Sequence, residues 1–182
     1  MEPTGLGVVR LGSRALFTIA VADYEDTDLG AYQEVGLIFL VTGPKGRGIY
    51  VHHLPVNQEF TLAAGREIWG YPKFLTEISV ETRGATMRCS LGDTLELTVR
   101  RGVVPTPLPT PPTYTALDGV LRLTRFRSRG VARARPGGAR VTLGSGPIAD
   151  ELRSLGLPKG ALASSSMAPF RASFGPAARV SA

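Results

Sequence analysis

Cysteine is almost missing from this chain: Cys89 is the only one in 182 residues. A single thiol excludes an intramolecular disulfide framework, and a cytoplasmic location is the resulting expectation. Histidine is nearly as scarce, with only His52 and His53. Neighbouring residues of a strand point to opposite faces, so this pair is not expected to chelate one metal. No cysteine set or further histidine could complete a zinc site, and neither a metal nor a cofactor is expected. Long apolar runs are lacking too. The longest covers 35–42, far too short to cross a bilayer, and reads as a buried strand. The N-terminus has no basic region followed by an apolar run and a small-residue cleavage site, so no signal peptide and no membrane partner are expected. Lysine is the last scarcity: Lys45, Lys73 and Lys159 stand against eighteen arginines.

What is present describes a globule, with hydrophobic content of 43% and charged content of 20%. A chain of this length is expected to form one domain, 1–182, burying roughly 70% of its unfolded surface. The net charge of +6 comes from the arginine surplus between Arg122 and Arg140. Arg125, Arg127 and Arg129 alternate, as on one face of a strand. Leu121 and Leu123 share that parity, so the strand should bulge near Thr124 or lose its buried face there. Only Phe126 is interleaved and no nucleic-acid-binding motif accompanies the patch. A solvated or subunit-contacting edge is the expectation, with no nucleic-acid partner.

Most of the chain reads as strands. Residues 6–22 suggest two, joined by a turn at Gly12-Ser13, followed by an acidic loop from Asp23 to Asp28 whose spacing does not fit an EF-hand. Residues 32–42 form the next strand. Gly43-Pro44-Lys45-Gly46-Arg47-Gly48 lacks the Gly-Lys-Ser/Thr ending of a phosphate loop and precedes a strand, so it reads as a hairpin turn. Segments 76–81, 87–90 and 94–101 alternate polar and apolar residues around turns at Arg83-Gly84 and Gly92-Asp93, a meander. The proline-rich run 105–112 should be extended. Strands resume over 114–144, a short helix covers 147–155, and final strands follow from 164 to 180. Ser164-Ser165-Ser166 has no Gly-x-Ser-x-Gly elbow and is expected to be ordinary strand polarity. The fold class is β-rich α+β with few short helices.

One helix stands out. Thr61 is expected to cap it, Leu62, Ala63, Ala64 and Ile68 to propagate it, and Gly70 and Pro72 to end it. Lys73 then lies just past that end among Trp69, Tyr71 and Phe74. Two readings are open. If enclosed, the amine is held neutral and can act as a nucleophile; otherwise the lysine carries its head to water from an apolar patch. Glu34 is similarly double. Alternation puts it on a face with Gly36, Ile38 and Leu40, where an inward carboxyl could shuttle protons. As a strand-end residue it would reach solvent or pair with an arginine.

Gly65-Arg66-Glu67 followed by Tyr71-Pro72-Lys73 resembles the active-site segment of the acetoacetate decarboxylase family, a standard example of an activated lysine. Leu29-Gly30-Ala31-Tyr32-Gln33-Glu34-Val35-Gly36 resembles the segment carrying that family's catalytic glutamate, and the interval from Glu34 to Lys73 agrees without a gap. Leu157-Pro158, Ser164-Ser165-Ser166 and Ala178-Arg179-Val180 also match. The resemblance implies a β-barrel or cone of mostly antiparallel strands, a large homo-oligomer and a small-molecule keto acid substrate. It implies Lys73 as the imine-forming nucleophile of a carbon–carbon lyase and Glu34 as its proton shuttle, with Trp69, Tyr71, Phe74, Arg66, His52 and Arg14 around the pocket. Arg66 is expected to brace the helix, and Arg10 or Arg14 to meet a substrate carboxylate. Three positions depart from the family. Phe74 replaces a second lysine, Ile19 replaces a further glutamate, and the longer N-terminal segment has no counterpart. Decarboxylation of a β-keto acid is the leading expectation. An imine-dependent aldolase or dehydratase, or a silent binding module, are the rivals.

Overall fold

The computed structural model describes residues 5–108 and 110–180. They fall into two compact units, each discontinuous in sequence. The first takes the chain to Leu75, then 110–127 and the segment from 172 onward; the second takes 76–109 and 128–171. Strands make up 58% of the structure against 11% helix, in agreement with the β-rich expectation.

The first unit holds β1 (Gly7–Val8), β2 (Arg10–Leu11), β3 (Arg14–Ala15), β4 (Phe17–Tyr24), β5 (Tyr32–Gly43), β6 (Gly46–Val56), α1 (Glu59–Trp69) and β7 (Lys73–Leu75). After the excursion through the second unit come β12 (Thr113–Leu117), β13 (Val120–Thr124) and β17 (Ala178–Arg179). Where two strands were expected over residues 6–22, three two-residue strands form and are followed by the eight-residue β4. A small β2–β3 hairpin turns at Gly12, whose φ of 61° suits glycine. The main sheet runs β1-β5-β6-β12-β13-β17, with β4 also on β5 and β7 also on β6, and curls into a half-barrel.

The long β5–β6 hairpin is its spine. Pro44 and Lys45 make the turn, and the Tyr114 hydroxyl donates to the Gly46 carbonyl and accepts from the Lys45 amide. A Cβ at Gly43 would lie 2.7 Å from the Tyr114 ring. Glycine is needed here because a tyrosine fills the turn, which confirms a hairpin rather than a phosphate loop.

On β5 the side chains of Val35, Leu37, Phe39 and Val41 are buried, and so is Gly36 between them. Phe39 and Val41 pack with Tyr114, Leu121 and Leu123 into the core of this unit. The expected inward set of Gly36, Ile38 and Leu40 is therefore the opposite face, and Ile38 and Leu40 are only half-buried. The arginine-rich strand neither bulges nor continues. It ends at Thr124, Arg125 lies outside any strand, and β14 restarts at Phe126.

The second unit contains β8 (Ile78–Arg83), β9 (Thr86–Leu91), β10 (Leu95–Arg100), β11 (Val104–Thr106), most of β14 (Phe126–Pro136), β15 (Ala139–Leu143), α2 (Pro147–Ser154) and most of β16 (Ala163–Phe174). β8, β9 and β10 are the expected meander, extended by β15. The proline-rich run begins in β11, and Pro109 lies outside the described residues. Ser166 accepts from the Gly102 amide on β16, an ordinary structural hydroxyl. No described helix is long and apolar enough to cross a membrane.

Candidate active site

The site is assembled from β5, β6, α1 and β7. Thr61 does not cap α1; Gln58 does, its side-chain oxygen accepting the Thr61 amide at 2.6 Å. The helix therefore starts earlier and carries Thr61 inside its first turn. Thr61 and Gly65 are its only buried residues, one turn apart on the same face, whereas Phe60 and Ile68 are exposed. The helix ends as expected at Gly70, in the left-handed conformation with φ 64°. Pro72 then releases the chain into β7, which pairs parallel to β6 with Lys73 opposite Leu54.

This path returns Lys73 beneath the helix it has just left. Its side chain lies along Gly65, where a Cβ would stand 2.6 Å from Cδ and 2.7 Å from Cε. Lys73 is 4% exposed and Glu34 15%. The Lys73 Nζ lies 2.8 Å from Glu34 Oε2 and donates to Thr61 Oγ1, also at 2.8 Å. The ring of Tyr32 is 5.1 Å away, within cation–π range. Of the two readings of Lys73, the enclosed one holds. Glu34 lies opposite Ala22 on β4 and Val56 on β6, on the face away from the main apolar cluster, where Lys73 is its ion-pair partner.

Three tyrosines surround the carboxylate. Burial and the Glu34 charge push the Tyr32 phenol up to about 12, with a Thr61 hydrogen bond acting the other way. Tyr71 and Tyr24 are raised further by the same two causes, offset for Tyr71 by a hydrogen bond with Thr113. All three phenols are thus held neutral, as hydrogen-bonding groups.

The other residues expected around the pocket have separate places. Trp69 donates its Nε1–H to the Gly175 carbonyl, accepts from Thr115 on its own carbonyl and stacks near Phe174. It ties the helix end to the C-terminal segment. Tyr71 packs on Val51 and Leu54. Phe74 is the next residue of the strand after Lys73 and so faces the other way; its ring lies 6.4 Å from that of His53. Arg66 donates to the Lys73 carbonyl at 3.1 Å, bracing the strand that carries the amine. Arg14 and Arg10 belong to the β2–β3 hairpin, where both are exposed. Among the described residues, no contact joins either arginine to Lys73 or Glu34.

His52 and His53 correct one expectation. Their rings lie 4.2 Å apart, not on opposite faces. The β5–β6 register shifts between Leu37 and Ile38, pairing them with His53 and Val51 and skipping His52. That bulge breaks strict alternation and brings the two rings to one side. Sequence reasoning assigns Thr61 only a capping role and Gly65 and Tyr32 only a place in the motifs, and it assigns no place in the site to Tyr24. The available signal was the spacing of Thr61 and Gly65, two small residues one turn apart on a helix whose bulkier positions lie elsewhere.

The family model described as Acetoacetate decarboxylase (ADC) matches residues 3–171. The acetoacetate decarboxylase of Acidiphilium cryptum is 36% identical over 67 residues, 35% of this chain and 27% of that protein. The match thus spans about a quarter of that relative's length. The crystal structure of acetoacetate decarboxylase from Legionella pneumophila superposes with a TM-score of 0.82 at 18% identity, covering 100% of this chain and 78% of the other. The enduracididine biosynthesis enzyme MppR, solved with the condensation product of pyruvate and imidazole 4-carboxaldehyde, gives 0.56 at 13% identity, covering 81% and 64%.

Proposed function

The chain belongs to the acetoacetate decarboxylase family, and from that premise we propose that it is a lyase forming an imine between Lys73 and a keto acid. The observation that carries this reading is the enclosed amine, 2.8 Å from Glu34 and 2.8 Å from Thr61. A buried ion pair is a poor stabilising device, since desolvation of the two charges offsets most of their attraction. A lysine placed under a helix at the expense of a glycine is better explained by its chemistry.

The steps follow from the contacts. The ammonium passes a proton to Glu34, and the neutral amine adds to the substrate ketone. Water leaves the carbinolamine to give a protonated imine, which draws electrons from the adjacent bond. For a β-keto acid that bond is to the carboxylate. Carbon dioxide departs, and Glu34, ionised again after returning its proton to the leaving hydroxyl, relays a proton from water to the resulting enamine at carbon. Hydrolysis of the imine restores Lys73. The tyrosines, held neutral, keep the cavity polar without adding charge.

A second reading has two observations in its favour. Phe74 stands where the decarboxylase segment has a second lysine, and the fold is shared with an enzyme solved around a pyruvate condensation product. An aldol or dehydration reaction of an α-keto acid would use the same imine and release no carbon dioxide.

Borohydride trapping with a panel of α- and β-keto acids, read by intact mass, tests both. Wild type should gain the mass of one reduced adduct, and Lys73→Ala should gain none. Carbon dioxide release alongside trapping selects decarboxylation; its absence selects the second reading. Equal adducts in both proteins, or none with any acid, would refute imine chemistry and leave a binding module.

A further inference from the structure

We propose that Thr61 is a positioning residue for Lys73, its hydroxyl holding one N–H of the amine so that, with Glu34 holding another, the nucleophilic lone pair is aimed in one direction. This rests on the imine-forming reading above.

Thr61 is an unusual helix residue. Its side chain is fully buried, and its hydroxyl receives the Lys73 Nζ instead of serving the helix alone. Thr61 lies in the first turn, where Gln58 already serves as the cap and holds the Thr61 amide, so capping gives no reason for a hydroxyl here. The neighbouring phenol supplies the remainder of the geometry. A hydroxyl has one donor and two acceptor positions. Accepting Nζ uses one of the two acceptor positions of Thr61, and the Tyr32 ring stands 5.1 Å from the same nitrogen.

The nitrogen can then be counted out. Beyond its bond to Cε, a tetrahedral amine has three directions. Glu34 Oε2 takes one and Thr61 Oγ1 a second, each at 2.8 Å. The two contacts define the staggered positions of the nitrogen, and the third direction faces the incoming carbonyl carbon. Loss of a proton to Glu34 leaves the lone pair toward the carboxyl; a turn of one staggered step about the Cε–Nζ bond brings it to the open direction, with both remaining N–H bonds then held by the carboxyl and the hydroxyl. When water has left and the iminium has formed, nitrogen keeps a single N–H. One acceptor must then release it. An ionised carboxylate can only accept, whereas a hydroxyl can turn and donate, for instance to the departing water. Threonine at this place fits both ends of the reaction; valine, of almost the same shape, fits neither.

Thr61→Val and Thr61→Ser test this, with two readouts on folded protein checked by thermal unfolding. The first is the rate of borohydride trapping with the keto acid that labels wild type. The second needs no substrate: reductive methylation of Lys73 by formaldehyde and cyanoborohydride, mapped by peptide mass, with exposed Lys45 and Lys159 as internal controls. Valine should slow trapping by about 10–100-fold, the usual consequence of misplacing a reacting group by about an ångström. It should also slow methylation of Lys73 but not of Lys45 or Lys159. Serine should restore both rates to within about threefold. Valine matching wild type in methylation, or serine failing as badly as valine, would overturn the role of the hydroxyl. Absence of any keto acid adduct on wild type would instead sink the imine reading, while the methylation series still judges Thr61.

Discussion

Gly65→Ala is the most informative single substitution, because two opposing effects of known size meet at one atom. In an ordinary helix interior alanine is better than glycine by about 1 kcal/mol. Here the added methyl would stand 2.6 Å from Lys73 Cδ, 2.7 Å from Cε and 3.3 Å from Nζ. Carbon atoms pack at about 3.5–4.0 Å, so the lysine must retreat by about 1 Å. Those atoms end a flexible side chain, and the overlap itself is cheaply relieved. The cost falls on the hydrogen bonds. At 2.8 Å each, the contacts to Glu34 and Thr61 would stretch past about 3.5 Å and cease to count. Leaving a buried donor and carboxylate poorly paired costs roughly 1–3 kcal/mol. The net expectation is a destabilisation of about 0–2 kcal/mol in denaturant unfolding, with borohydride trapping about a hundredfold slower. A variant about 1 kcal/mol more stable than wild type that traps at the wild-type rate would show that Lys73 does not lie against this helix.

Two further outcomes are expected. Alkaline titration followed by the ultraviolet phenolate band should show Tyr32 ionising near 12, above its ordinary value of 10. Because the folded state holds that proton more tightly, its contribution to stability is complete below about pH 10 and lost as pH rises through about 12; unfolding midpoints that rise over that window would contradict the burial. Trp69→Phe removes the donor to the Gly175 carbonyl while keeping ring contact with Phe174. It should cost about 1 kcal/mol and speed proteolysis of the chain after 172, with little change in the trapping rate.

The central pair was readable because its two motifs and the interval between them are continuous in sequence. Gly70 and Pro72 announced the helix stop through backbone geometry, which is local. The meander was readable for the same reason, since Gly84 and Gly92 mark its turns with φ of 59° and 44°. What escaped depended on neighbours far along the chain. Thr61 looked like a cap, but Gln58, an uncommon capping residue, takes that place. Gly65 looked like a weak helix former, and only the returning strand shows what it makes room for. Glu34 does share a face with Gly36, Ile38 and Leu40, but alternation says only which side chains share a surface, not which surface meets the main apolar cluster. The two histidines were separated by a rule that a bulge suspends.

The strand that bears Lys73 pairs parallel to β6 and is reached through α1, so the catalytic candidates arise from one unbroken length of chain, Tyr32 to Lys73. The separation from Glu34 to Lys73 is bridged stepwise, by the β5–β6 hairpin and then by the turn through α1 back onto β6, so each closure joins elements adjacent in the chain. The segment is in this sense a cassette, lying wholly within the first unit.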